Sequence, residues 1–373
     1  MKKIIKRVAA GIGIGIGSII FLVVAFFGVL TIAEYRPAEI EKQEIQYHSG
    51  GAPQFSDASQ SQVPALARPS VGIPFSLLSW NIGYASLDES QDFFLDGGKT
   101  IRPATDENVN RNLAGIREFI AGADCDVTLM QEADIASKRS YYINQRKFLT
   151  ERFSGSSVFA YNFQSLLVPI PFPEIIGKVS SGLLTLSRFE TTEAFRMSLP
   201  NPFSWPVRVA NLKRCLLVSR IPLENSAAEL VIVNLHLEAY DSSGGREAQT
   251  KALLDFLNSE YAKGNYCIAG GDFNQNFPGI DPERFAVKNS DYFIAGTLSP
   301  SLLAPGWQYA VDTQTPSCRL LNEPYSGNPE ETQLYVIDGF ILSPNVELVS
   351  VETFALDFKH SDHNPVKLKV TLK

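Results

Sequence analysis

Cysteine is scarce in this chain: four in 373 residues, at positions 125, 215, 267 and 318. So few exclude a disulfide scaffold, and their spacing matches no cysteine metal site. Cys215 and Cys267 fall inside apolar runs and read as buried thiols that pack as small apolar residues. There are four histidines and no His-x-x-x-His pair, so zinc chemistry is not indicated. No Gly-x-Ser-x-Gly elbow is present, which argues against a serine hydrolase. No segment repeats at a fixed period, and charged residues make up an ordinary 20%, so solenoids, fibres and disordered chains are excluded. Positive charge is also short. The net charge is -7, and beyond residue 35 it falls to -10, with 29 basic against 39 acidic residues. An acidic body of that kind disfavours a protein that coats nucleic acid, and no stable nucleic-acid partner is expected.

One long hydrophobic run is present. Val8 to Ala33 carries no charge for 26 positions, enough for the roughly 20 apolar residues that cross a bilayer core. It is longer than the apolar region of a cleaved signal peptide. It therefore reads as a retained signal-anchor helix, residues 8–33. Lys2, Lys3, Lys6 and Arg7 precede it, so residues 1–7 are expected in the cytoplasm and the rest outside the cell membrane. Gly11, Gly13, Gly15 and Gly17 include small-xxx-small pairs that could support weak self-association. Residues 34–74, rich in Ser, Gln, Ala, Pro and Gly, read as a flexible linker, with His48 a solvated linker residue.

Residues 75–373 read as one domain. Short apolar runs recur at 75–80, 127–131, 183–187, 215–219, 230–235, 266–269, 334–342, 346–353 and 366–372, several of them continuous, as in strands buried on both faces. Helical periods appear at Val109, Leu113, Ile116 and Ile120, and at Leu253, Leu254, Leu257 and Tyr261. Strands with few helices suggest sheet packed on sheet, flanked by helices. The proline-rich run Ser165–Ile176 is excluded from a central strand. It is expected as a loop, packed on the core or touching a membrane or an acyl chain.

Strand after strand ends in a polar residue that a core would not select: Asn81, Glu132, His236, Asp272 with Asn274, and Asp338. Asp362 and His363 precede the last strand. Carboxylates and an amide offer hard oxygen ligands, suited to Mg²⁺ or Mn²⁺. Histidines beside carboxylates and a hard cation suit phosphate-ester hydrolysis by an activated water. Each residue alone has a structural alternative, as a turn cap, a salt-bridge partner or a satisfied core histidine. His360 reads as structural rather than functional, and so do Arg246 and Gln249, which open the second helix. Two further segments offer substrate contacts: Lys99 and Arg102 after a Gly-Gly turn, and Arg139 with Asn144 soon after Glu132. An ordinary surface turn and an ordinary helix start are their alternatives.

Ser79-Trp-Asn81, Gln131-Glu132, Ser181-Gly-Leu-Leu-Thr-Leu-Ser-Arg188, Asn234-Leu-His236, Gly271-Asp272-Phe-Asn274, Ile337-Asp338-Gly-Phe and Ser361-Asp362-His363-Asn-Pro occur in this order. The ordered set resembles the endonuclease/exonuclease/phosphatase superfamily over essentially all of 75–373. The resemblance implies a DNase I-like, four-layered α/β sandwich of two mostly antiparallel sheets flanked by helices. It implies Glu132 as metal ligand assisted by Asn81, with Asp362 a further metal contact. His363 would be the base that activates water, oriented by Asp338. Asp272 and Asn274 would position the nucleophile and the phosphate, and His236 would stabilise the phosphoryl oxygens or help the leaving group. The abasic-site nuclease branch has a tyrosine near His236 and an aspartate where this chain has Gly83, so that activity is not expected. The reading is a membrane-tethered Mg²⁺- or Mn²⁺-dependent phosphoesterase for a small-molecule or lipid phosphodiester. The alternatives are a nuclease and, less favoured, an inactive binding module.

Overall fold

The computed structural model describes residues 2–50, 66–240 and 244–373. Its first element is one helix, α1 (Lys2–Ile32). At 1.5 Å per residue its 31 residues extend about 46 Å. Its apolar window is long enough to cross a membrane, and none of that window is buried. Nothing lies within 4 Å of where a Cβ would stand on Gly11, Gly13, Gly15 or Gly17.

The chain leaving α1 corrects the linker expectation. Residues 40–42 form β1 and 45–49 form β2. They seal one edge each of two different sheets. Strand β1 pairs antiparallel with β7 (Glu193–Ser198), and β2 with β5 (Ser154–Val168). An edge strand exposes unpaired N–H and C=O groups, and a nearby extended segment satisfies them. His48 is accordingly no solvated linker residue; its Nε2 lies 2.8 Å from Ser157 Oγ. Residues 51–65 of the expected linker fall outside the described residues.

The other strands of the two large sheets are β3 (Phe75–Asn81), β4 (Val127–Asp134), β6 (Gly177–Ser187), β8 (Cys215–Pro222), β9 (Glu229–His236), β10 (Tyr266–Asp272), β11 (Gln308–Ala310), β12 (Asp338–Leu342), β13 (Val346–Thr353) and β14 (Val366–Leu372). One seven-stranded sheet runs β1-β7-β8-β9-β10-β12-β11, the other β13-β14-β3-β4-β6-β5-β2. Each contains a single parallel pair, β9 with β10 and β3 with β4. A parallel pair needs a crossover, and each has a helix for it: α2 (Asp106–Ala123) between β3 and β4, α4 (Gly245–Ala262) between β9 and β10. The short helix α3 (Gln145–Thr150) lies beyond β4.

Three buried clusters make the four layers. Leu77, Leu129, Ile232, Ile268, Phe340 and Leu368 fill the space between the sheets. Leu253 and Leu257 of α4 pack on the outer face of one sheet, and Val109, Leu113 and Ile116 of α2 on the other. Each such side chain contributes roughly 1.5–3 kcal/mol when buried. The proline-rich run divides: residues 165–168 complete β5, and 169–176 form the turn to β6.

Candidate active site

Asn81, Glu132, His236 and Asp272 all stand at or near the carboxyl ends of the two parallel strand pairs. The two sheets bring these ends together. A polar tie beneath them fixes the approach: Gln131 Nε2 donates to Asn234 Oδ1 at 2.8 Å, and Asn234 Nδ2 donates to the Met130 and Leu184 carbonyls at 3.1 Å. Glu132 sits in a β-bulge between Met130 and Ala133, with φ of 58°. Left-handed backbone in a strand is strained for a non-glycine residue, and the bulge re-aims the side chain. The Glu132 side chain stays 25% exposed while its neighbours are buried.

His363 lies among three carboxylates. Its Nδ1 is 2.8 Å from Asp338 Oδ2, and its Nε2 is 3.8 Å from Asp272 Oδ2 and 4.0 Å from Asp362 Oδ2. The Trp80 indole N–H donates to the His363 carbonyl at 2.9 Å and pins the backbone. His236 Nε2 lies 3.3 Å from Asp272 Oδ2, and its Nδ1 lies 3.9 Å from Glu132 Oε1. Asn274, itself at φ 51°, donates its backbone N–H to Asp272 Oδ1 at 2.8 Å and its amide to the Leu237 carbonyl. Asp362 approaches so closely that a Cβ on Gly83 would stand 2.6 Å from its Oδ1, and Gly83 has φ of +47°. The position thus excludes any side chain.

Burial dominates the electrostatics. It raises Asp272 to about 7, with Asp338 adding to the shift and His363 opposing it. It raises Asp362 to about 6, with His363 lowering it and Glu132 raising it. Burial opposes the charged form of His363, yet Asp338, Cys318 and Asp362 outweigh it and hold the imidazole well above its usual range. His236 is driven well below, by burial and then by Arg214 and the other imidazole. Two acceptor positions in this cluster are unpartnered and buried, Asp338 Oδ1 and His236 Nδ1. Surplus carboxylate charge, raised carboxyl pKa values and unpaired buried atoms are the deficit that a divalent cation fills. Glu132 and Asp362 would supply hard oxygen donors for it, with Asp272 close beside His236 and Asn81.

The other candidate residues fall in different settings. Asn81 Oδ1 accepts the Gly83 N–H at 3.1 Å, and its Nδ2 donates to Asp272 at 3.1 Å and Glu132 at 3.4 Å. As placed it orients the carboxylates, and the second lone pair of Oδ1 remains for a cation. Arg139 does line the cavity, but its fork grips both oxygens of Asp134 at 3.1 and 3.2 Å and stacks 3.7 Å over the Tyr84 ring. Asn144 instead caps α3, accepting from Lys147 N. Lys99 is exposed and does not line the cavity. Arg102 lies on the surface against Glu174 and the Tyr141 ring. His360 packs against Gly115 of α2, outside the cavity.

The cavity above the cluster has a volume of about 360 Å³. Phe93, Phe94, Ile170, Phe203, Leu212 and Phe293 give it an apolar wall. Within that wall the Tyr240 hydroxyl donates to Asp96 Oδ1 at 2.6 Å. Neither residue was anticipated. Asp96 belongs to the segment flagged for Lys99 and Arg102, and the apolar Phe93–Leu95 run before it was the available signal. Cys318, also unforeseen, lies beside Asp362 and His363, where burial pushes its thiol up to about 12.

The endonuclease/exonuclease/phosphatase family model matches residues 78–363. No curated protein matched the chain. Among solved structures, an endonuclease/exonuclease/phosphatase from Beutenbergia cavernae superposes with a TM-score of 0.52 at 16% identity, covering 80% of this chain and 72% of that one. A functionally unknown protein from Enterococcus faecalis gives 0.52 at 16%, covering 80% and 100%. An endonuclease/exonuclease/phosphatase from Bacteroides vulgatus gives 0.51 at 15%, covering 81% and 100%. At these identities the superpositions establish the fold. The family match spans the stretch that runs from Asn81 to His363. The chain therefore belongs to the endonuclease/exonuclease/phosphatase family, the divalent-metal-dependent hydrolases of phosphate esters.

Proposed function

We propose that this enzyme hydrolyses a small-molecule or lipid phosphodiester at the outer face of the membrane that α1 crosses. The observation that carries this reading is the apolar wall above the catalytic cluster. Its cations, Arg139, Arg214 and Arg319, are all buried and all have internal partners. A groove for nucleic acid needs exposed Lys and Arg along the phosphate path. The charge of -10 outside the anchor points the same way.

Glu132 and Asp362 would hold Mg²⁺ or Mn²⁺, with Asn81 orienting Glu132. The cation would neutralise phosphoryl oxygen and the leaving group. Asp338 orients His363, whose Nε2 takes a proton from water as the water oxygen bonds to phosphorus. The P–O bond to the leaving alkoxide then breaks, and the alkoxide takes up a proton. A cation beside Asp362 would offset part of the negative field that favours protonated His363. Asp272 and Asn274 position the water and the phosphate. His236, kept neutral, donates or accepts at the phosphoryl oxygens.

The test assays the purified full chain with Mg²⁺ or Mn²⁺ on phospholipid vesicles, a soluble aryl phosphodiester and plasmid DNA under one salt condition. Turnover of the first two above DNA is expected. DNA cleavage that falls steeply with salt, without turnover of the others, would replace this reading with a nuclease.

A further inference from the structure

One loop serves both the cavity and the helix. Phe203, Ala210, Asn211 and Leu212 line the cavity. Between them, Trp205 places its ring 5.9 Å from the Phe27 ring of α1, and its indole N–H donates to Thr31 Oγ1 at 3.1 Å. Leu30 of α1 is 4% exposed. Glu34, just past the helix, is held by Lys213 at 3.0 Å and Arg208 at 3.3 Å. The end of α1 is therefore fastened to the rim of the cavity. Trp205 is two positions from Phe203, at most about 7 Å of chain.

The same rim is apolar and uncovered. Phe172 is 91% exposed, Val207 57%, Trp205 54% and Ile170 51%, and Ile170 also lines the cavity. Depth can be read along α1. Ala33 is the last uncharged residue of the run, and Phe27 lies about 9 Å before it at helical rise. A ring seated on Phe27 is thus below the level at which α1 leaves the hydrocarbon. Arg36 and Arg208 flank that exit, with side chains 60% and 44% exposed. Tryptophan and basic residues are the types that settle at a bilayer interface.

We propose that the rim loops, through Phe172, Trp205 and Val207, dip into the leaflet from which α1 emerges, and that the cavity draws a phospholipid headgroup from that leaflet. This rests on the reading of α1 as a membrane span and of the site as a phosphoesterase. The occupant of the patch is the bilayer itself, because α1 and the patch share Trp205. Substrate reaches the cavity past Ile170 without crossing bulk water.

The test reconstitutes the full chain in vesicles of phosphatidylethanolamine and phosphatidylglycerol carrying brominated acyl chains. Trp80 and Trp307 are buried, at 1% and 9% exposure, so lipid quenching reports Trp205. Strong quenching by brominated lipid is expected, lost in Trp205→Phe. Quenching by aqueous iodide instead would overturn the proposal. So would shielding from both quenchers that depends on protein concentration, since a second chain would then cover the patch. Phe172→Asp with Val207→Asp should lower hydrolysis of vesicle phospholipid by roughly tenfold or more and leave the soluble aryl phosphodiester unchanged; equal loss on both would also overturn it. Phospholipid turnover without Trp205 quenching sinks the rim and spares the function. Quenching without turnover of any phosphoester sinks the function and spares the rim.

Discussion

In the proposed mechanism His363 is the base, and its setting predicts a pattern of losses. His363→Ala should lower kcat by about 10²–10⁴, the range for a positioned acid–base group. Glu132→Gln should cost a similar factor, and the double variant little more than either alone, because both act in one step. Single-turnover rates on a soluble diester check this; full additivity would show that the two residues serve separate steps. The carboxyls give a second expectation. Asp272 and Asp362 are raised to about 7 and about 6 from ordinary values near 4. In the metal-free protein their contribution to stability is therefore complete below about pH 4 and is lost as pH rises through about 6–7. The raised His363 acts in the same direction, and the lowered His236 in the opposite one, losing stability as pH falls. A divalent cation compensates the ionised carboxylates, so the Tm gained on adding Mg²⁺ should be small near pH 5 and grow toward pH 8. Melting curves with Mg²⁺ and with chelator measure it, and a gain that shrinks with pH would contradict the ligand set.

At the scale of the element, the tie between β4 and β9 is the feature that sets where Glu132 and His236 stand. Asn234→Leu leaves the Gln131 amide without its 2.8 Å partner and should cost about 1–3 kcal/mol. Adding Gln131→Leu should cost less than the sum of the two, since both polar partners are then gone. Chemical denaturation of the three variants decides it. The edge strands make a second case. A fragment beginning at Phe75 lacks β1 and β2 and leaves β7 and β5 open. It should melt lower and aggregate more readily than one beginning at Glu34; equal behaviour would show that β1 and β2 add nothing. These elements also mark the limit of sequence reading. The strand-end residues Asn81, His236 and Asp272 were legible because a polar residue after an apolar run is locally anomalous. Strands of three and five residues at 40–49 are held by partners more than a hundred positions away, and no local pattern announces that. The Glu132 bulge is likewise invisible, since its left-handed φ comes from pairing with β6. For Lys99 and Arg102 both readings stayed open, because cations after a glycine turn look alike whether they face a cavity or water, while Asp96 and Tyr240 meet only through tertiary folding.

For the whole molecule, the four cations before Val8 predict orientation. A tag after Lys373 should be reached by antibody on intact cells, and a tag before Met1 only after permeabilisation; the reverse pattern would invert the topology. The connection between anchor and domain has a consequence of its own. Glu34 is clasped by Lys213 and Arg208 two residues past α1, and β1 begins at Ile40. With α1 in a bilayer, the domain is held as on a short axle rather than a leash. It can spin about the membrane normal and travel with the helix, but it cannot lift away to sample the surrounding fluid. Its encounters then depend on lateral diffusion and on molecules per unit area. Turnover in vesicles should follow the surface density of substrate and stay unchanged when the same vesicles are diluted in buffer.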